Sequence, residues 1–358
     1  MTWLLVFFLL FTAFSVPLKA AEIAEIPLEL MELIPETLEP QNIKKMLDNP
    51  SPKNILQSLW QYLWKEVRLH TRLIGQVIIV AVLAAIFKEI AESFSKEAGE
   101  VGFLAAYLVL ILFLVASLKE MANLTIGTVV LLSNIVKVLV PIVASMVALG
   151  GEFSTTLTLS PIIIGLGASV SLIVEKVIMP MALASGVVGL ASYVSKRPML
   201  TRLSGFFRWL CLLILGLVNT VFFGLITSLG LGSAAQDSLA YRTAKYVINT
   251  VPIVGSAVAN STDLLQASTK AVQSFASGVG LLFLLFATLY PVLKLCALIL
   301  VYKLLQAVVE PVAETRFLGA LESMEKSVTL FLSLIIITAV MFYLSVGVLA
   351  GIGAFLLR

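Results

Sequence analysis

Charge is scarce in this sequence. Of its 358 residues, 13% are charged and 59% are hydrophobic, where soluble domains carry roughly 25% charged residues. A water-soluble fold of this length could not hide so much apolar surface. The mean hydropathy of +1.05 therefore predicts a chain dissolved in lipid. Histidine and cysteine are nearly missing. There is one histidine, His70, and there are two cysteines, Cys211 and Cys296, both inside apolar runs. With no C-x-x-C and no H-E-x-x-H, no metal, cofactor or disulfide is expected, and the cysteines read as membrane packing. No G-x-x-x-x-G-K-[ST] occurs, which excludes a phosphate-cradling loop and an ATP motor of that kind. The formal net charge is only +3, without a basic block, so no nucleic-acid partner is expected. Aspartate is rare as well, at Asp48, Asp237 and Asp263. An aspartyl intramembrane protease needs two carboxylates at membrane depth, and neither Asp237 nor Asp263 lies in a clean span. His70 precedes the first long span among Lys65, Arg68 and Arg72, where it reads as a solvated interfacial residue rather than a catalytic base. No catalytic residue is assigned.

What the sequence has in abundance is long apolar runs. Trp3–Val16 is too short to cross comfortably, so residues 1–21 read as a signal peptide or an uncleaved N-terminal anchor. Residues 22–71 read as an extracytoplasmic acidic head with an interfacial helix. The head carries Glu22, Glu25, Glu29, Glu32, Glu36 and Glu39, with Pro27, Pro35 and Pro40 interrupting. Ser51-Pro52 marks a helix start. Ile55, Leu59, Tyr62 and Leu63 share one helical face, and Trp60 and Trp64 suit the headgroup layer.

Residues 72–358 read as a polytopic transmembrane domain. Its apolar runs are Leu73–Phe87, Val101–Leu118, Leu124–Leu149, Leu157–Val174, Val177–Ser195, Trp209–Leu231, Phe275–Leu293, Leu295–Val309 and Val328–Leu349. Between the first two, Glu92 and Lys96 have the spacing of a solvated helix pair. Only Glu175-Lys176 separates the fourth run from the fifth, which makes either a tight hairpin or one bent helix. The fold class is an all-α polytopic membrane protein, a bundle of about seven to nine spans. Lys196, Arg197, Arg202 and Arg208 form the densest short basic loop, which places it in the cytoplasm.

Two features stand out against this apolar background. Asn134 and Lys137 lie inside a long run, where a charge is costly and usually faces a bundle interior or water. A pore- or partner-facing role and a snorkelling side chain on a surface-lying helix are both open. Small-x-x-x-small spacings at Gly347/Gly351 and Gly224/Ser228/Gly232 suit close helix packing.

The second feature is residues 232–274, a polar broken-helix segment. Asp237, Tyr241 and Lys245 follow helical spacing with Arg242 nearby; Pro252 and Gly255 break the helix; Asp263 and Gln266 resemble a capping box that starts another. Irregular backbone at membrane depth is tolerated only within protein or beside water. A re-entrant, cavity-lining element and an extramembrane loop packed on the bundle are the two readings.

Around this segment, Ala240, Arg242, Thr243, Ala244, Lys245, Pro252, Val254, Gly255 and Asp263 give the chain its resemblance to the stage III sporulation protein AE family of endospore-forming bacteria. The resemblance implies a non-enzymatic membrane component of the mother cell–forespore channel, or feeding-tube complex. It implies as partners the other membrane proteins of the stage III sporulation A operon and a forespore-side channel partner. It also implies residence in the mother-cell-derived membrane around the forespore, and it carries no catalytic residues. A stand-alone small-solute permease using 232–274 as its binding element is the alternative; an aspartyl protease using Asp237 and Asp263 ranks behind both.

Overall fold

In hydrocarbon an unpaired backbone N–H or C=O costs several kcal/mol, so a spanning chain must satisfy its backbone within itself. The computed structural model describes residues 52–149, 153–194, 200–222, 224–225, 284–285 and 287–355. Among these described residues every regular element is helical and none is a strand. Helix α1 is Pro52–Leu69, α2 is Thr71–Glu92 and α3 is Lys96–Leu149. Helix α4, Phe153–Ile173, continues through a π-helical segment, Val174–Ile178, into α5, Met179–Ala191. Helices α6, Thr201–Phe222, and α7, Ala287–Val309, precede the final helix α8, Thr315–Phe355. Six stretches, in α2, α3, α4–α5, α6, α7 and α8, are long and apolar enough to cross a bilayer. The protein is a helical membrane protein.

Several expected boundaries move, for one reason: charge does not break a helix unless the backbone is broken too. Val101–Leu118 and Leu124–Leu149 are one helix of 54 residues. Lys119 and Glu120 sit between them on its exposed face, and even Pro141 is carried inside it. Likewise α7 runs straight through Lys294, so Leu295 begins no new span. The choice at Glu175-Lys176 resolves to one continuous helix with a π segment rather than a hairpin. Glu92 and Lys96 belong to different helices. Ser95 caps α3 by accepting the Ala98 N–H at 3.0 Å, and Glu92 faces Lys88 at 3.9 Å instead. The span expected at Val328–Leu349 lies in a helix that begins earlier and ends later, at Thr315 and Phe355, with its apolar stretch at Thr315–Val346.

Contacts fix how the helices run. Glu100 on α3 meets Arg316 on α8, and Leu118 and Ser327 both lie against Gly186. Helices α3 and α8 are therefore parallel. The α4–α5 helix is antiparallel to both: Tyr107 donates to the Leu190 carbonyl at 2.8 Å, and Ser133 donates to the Gly167 carbonyl at 3.4 Å. Tyr107, Leu114, Tyr302, Phe317, Phe331 and Phe342 form a continuous buried core along this axis. At a rise of 1.5 Å per residue, α3 is about 80 Å long, against a hydrocarbon layer of about 30 Å. Lys119–Glu120 divides it near the middle. The half nearer Glu100 and Arg316 packs with α2, α5, α7 and the start of α8. The far half lies beside α4 and the rest of α8.

Candidate functional site

Apolar helices leave few polar side chains inside, so each one must find a partner or bear the cost of desolvation. Among the described residues, the main polar groupings are three within the bundle and one on its outer face.

The first is a serine cage around Arg208. Its Nε donates to Ser185 Oγ at 3.2 Å, and its Nη2 donates to Ser204 Oγ at 3.0 Å and Ser323 Oγ at 3.2 Å. Ser185 Oγ donates to the Ser204 carbonyl at 2.9 Å, and Ser204 Oγ returns the bond to the Ser185 carbonyl at 2.8 Å. Three helices, α5, α6 and α8, are stitched at one point. Gly189 makes the approach possible: a Cβ there would run into Ser323 Oγ, Ser204 Oγ and Arg208 Nη2. Arg208 is thus not a loop cation but a half-buried helix residue. Arg202 is exposed on the same helix, while Lys196 and Arg197 lie outside the described residues. Glu322, an acid whose charge bears on Arg208, is paired with Lys326 at 2.6 Å.

The second surrounds Arg316, whose side chain is only 5% exposed. Its guanidinium donates to Glu100 Oε1 at 2.8 Å and to Glu314 Oε1 at 2.9 Å, and it lies over the Phe103 ring at 4.1 Å. Lys88 reaches Glu314 at 3.5 Å, tying α2 into the same end.

A polar girdle at mid-bundle is the third. Lys294 Nζ donates to Glu120 Oε1 at 3.2 Å, and the buried Tyr302 hydroxyl donates to Ser117 Oγ at 2.8 Å. His70, expected to be solvated, is instead half-buried. Its Nε2 is enclosed without a hydrogen bond, 3.9 Å from Glu66 Oε1. Desolvation depresses its pKa below the usual value, against the pull of Glu66. Desolvation, with Tyr290 packed edge-on at 5.6 Å, also raises the pKa of Tyr62. Trp60 and Trp64 of α1 are both exposed and pair edge to face.

The fourth holds the expected pair. Lys137 Nζ donates to Asn134 Oδ1 at 3.1 Å on the outer face of α3. The other expected residues, Asp237, Arg242, Lys245, Pro252, Gly255 and Asp263, lie outside the described residues. So do Ser228 and Gly232, whereas Gly347 and Gly351 fall on α8. Among the described glycines, close contact is made by Gly167 against Phe342, Gly186 against Leu118, Gly189 in the serine cage and Gly319 against the Tyr193 ring. The cluster Ser185-Gly186-Val187-Val188-Gly189 was the available signal for two of them. Cys211 is buried and Cys296 half-buried, and neither is bonded to another cysteine. No group of three His, Cys, Asp or Glu among the described residues could hold a metal ion.

These arrangements fasten helices and place charge; they do not set a nucleophile beside a base. The family model for stage III sporulation protein AE matches residues 38–353. The stage III sporulation protein AE of Bacillus subtilis (strain 168) is 24% identical over 255 residues, covering 71% of this chain and 64% of that relative. The match thus spans slightly less than two thirds of the relative's length. No solved structure matches.

Proposed function

The chain belongs to the stage III sporulation protein AE family, and from that premise we propose that it is a non-enzymatic membrane component of the mother cell–forespore channel required for endospore development. The single observation that carries the proposal is the family match across most of a bundle with six span-length apolar helices. On this reading it sits in the mother-cell-derived membrane around the forespore. Its partners are the other membrane proteins of the stage III sporulation A operon and a forespore-side channel partner. Residues 1–21 serve as signal peptide or anchor, and residues 22–71 as the extracytoplasmic head and interfacial helix. Residues 232–274, with Asp237, Arg242, Lys245, Pro252, Gly255 and Asp263, serve as the functional broken segment.

The test is affinity purification of the full chain from sporulating cells. Co-purification of the operon's membrane proteins, with Arg242→Ala or Gly255→Leu blocking sporulation at unchanged protein level, is the expected result. Solute transport by the chain reconstituted alone, without such partners, would establish the permease instead.

A further inference from the structure

A cation in a membrane helix is costly unless a counter-charge meets it. Near the start of α8 the other cations have one: Arg316 pairs with Glu100 and Glu314, Lys88 with Glu92 and Glu314, and Lys326 with Glu322. Among the described residues no carboxylate pairs with Arg208. Its Nε and Nη2 are held by serine hydroxyls, which supply dipoles but no charge. Those hydroxyls are fixed in turn, since Ser185 and Ser204 each donate to the other's carbonyl. Nη1 carries two N–H donors. It has no hydrogen-bond partner among the described residues, and it is not enclosed.

The open side of the guanidinium is toward lipid. At about 100° per residue, Arg208 falls between buried Ser204 and Cys211 on one side and exposed Gly205 and Leu212 on the other. A Cβ on Gly205 would meet nothing within 4 Å, so that flank is uncovered. The depth is also fixed. Helix α6 is span-length from Thr201 to Phe222. Helical side chains lean toward the N-terminus, and the bond to Ser204, one turn earlier, shows Arg208 doing so. The guanidinium therefore lies about 5 Å along the axis from Thr201, near the lipid headgroups rather than the bilayer centre. Exposed Phe206 and Trp209, with ring centroids 6.0 Å apart, mark the same layer, where such rings concentrate.

We propose that Arg208, held by its serine cage, binds the phosphate of a net-negative phospholipid headgroup seated over Gly205. Phosphate oxygens accept charge-assisted bonds from a guanidinium. A net-negative headgroup supplies the counter-charge that the serines lack, whereas a zwitterionic one already carries its own. Basic pockets between membrane helices select anionic headgroups in this way. Free phosphate offers the same oxygens. The lipid is favoured because exposed Leu212 and Gly216 continue the face beyond Gly205, giving acyl chains an apolar surface to lie on.

The test titrates the purified full chain in detergent with phosphatidylglycerol or phosphatidylcholine, with bound lipid counted by native mass spectrometry. Phosphatidylglycerol should bind about tenfold more tightly than phosphatidylcholine, the worth of a charge-assisted hydrogen bond. Gly205→Leu fills the open flank without touching the cage and should weaken phosphatidylglycerol binding about tenfold, and so should Arg208→Gln. Gly216→Leu is the control. It lies on the same face about 16 Å further along α6, is equally open, and should bind as the parent does. Millimolar inorganic phosphate should not displace the lipid. Equal affinity for the two lipids overturns the proposal, as does parental binding in Gly205→Leu or in a folded Arg208→Gln; should Arg208→Gln not fold, Gly205→Leu decides alone. Displacement by inorganic phosphate would overturn the lipid as the occupant.

Discussion

Arg316 Nη1 donates to Glu100 Oε1 at 2.8 Å, joining residues 216 positions apart. The bond fixes the start of α8 against the start of α3, the two longest helices. Because the arginine is almost fully buried, removing it takes from Glu100 and Glu314 their shared guanidinium, and Glu314 keeps Lys88 at 3.5 Å. Arg316→Met should lower the unfolding free energy by about 3 kcal/mol, seen as a drop in thermal midpoint in detergent. The double variant Arg316→Met with Glu100→Met should recover part of the loss. An unchanged midpoint in the single variant would show that the pair is not needed.

Gly189 has no space for a side chain. Gly189→Val should force α5 away from α6 and α8, at a cost of about 2 kcal/mol or more. Gly127→Val, by contrast, adds atoms to open space and should leave thermal stability nearly unaltered. Comparing their melting in one detergent checks both.

Lysine cannot replace Arg208, whose forked donors reach three serines at once. A lysine ammonium is a point charge on a flexible stem. Arg208→Lys should cost about 1–2 kcal/mol through serines left without their donor. Ser204→Val should cost more, because it also deletes the reciprocal bond to the Ser185 carbonyl. Chemical denaturation followed by tryptophan fluorescence gives both values.

His70 makes stability depend on pH. Its folded pKa is depressed, chiefly by desolvation, with Lys294 adding to the shift and Glu66 and Glu120 opposing it. The unfolded chain therefore takes up a proton first as pH falls. The stabilising contribution is complete above the ordinary histidine value of about 6.5 and is lost as pH drops below it. Melting temperature should decline between roughly pH 7 and pH 5.5, and His70→Gln should flatten that decline. A variant with the same slope as the parent would exclude His70 as the cause.

Most of the helical content was legible because apolar run length is a direct physical requirement of lipid. The breaks were less so. Lys119-Glu120 and Lys294 look like loop residues in one dimension, yet each remains helical with its charge at the surface or paired. Asn134 and Lys137 were visible because ions are rare inside apolar runs. The serine cage was not, since a serine in a membrane helix carries little signal of its own. Its partners also come together from positions 19 and 115 residues apart. His70 was misplaced for a similar reason: the basic residues beside it in sequence do not tell which groups enclose it in space.

The π segment at Val174–Ile178 has a consequence for how the α4–α5 helix is phased. A uniform α-helix turns about 100° per residue, so Gly167 and Gly186 would end up roughly a quarter-turn out of alignment. The wider winding of these five residues absorbs that excess. Gly167 can then meet Phe342 while Gly186 meets Leu118 and Ser327. Deleting one residue here would spare the seam on one side and swing the other out of mesh. The two seams can therefore drift in composition independently, as long as the local winding between them is kept.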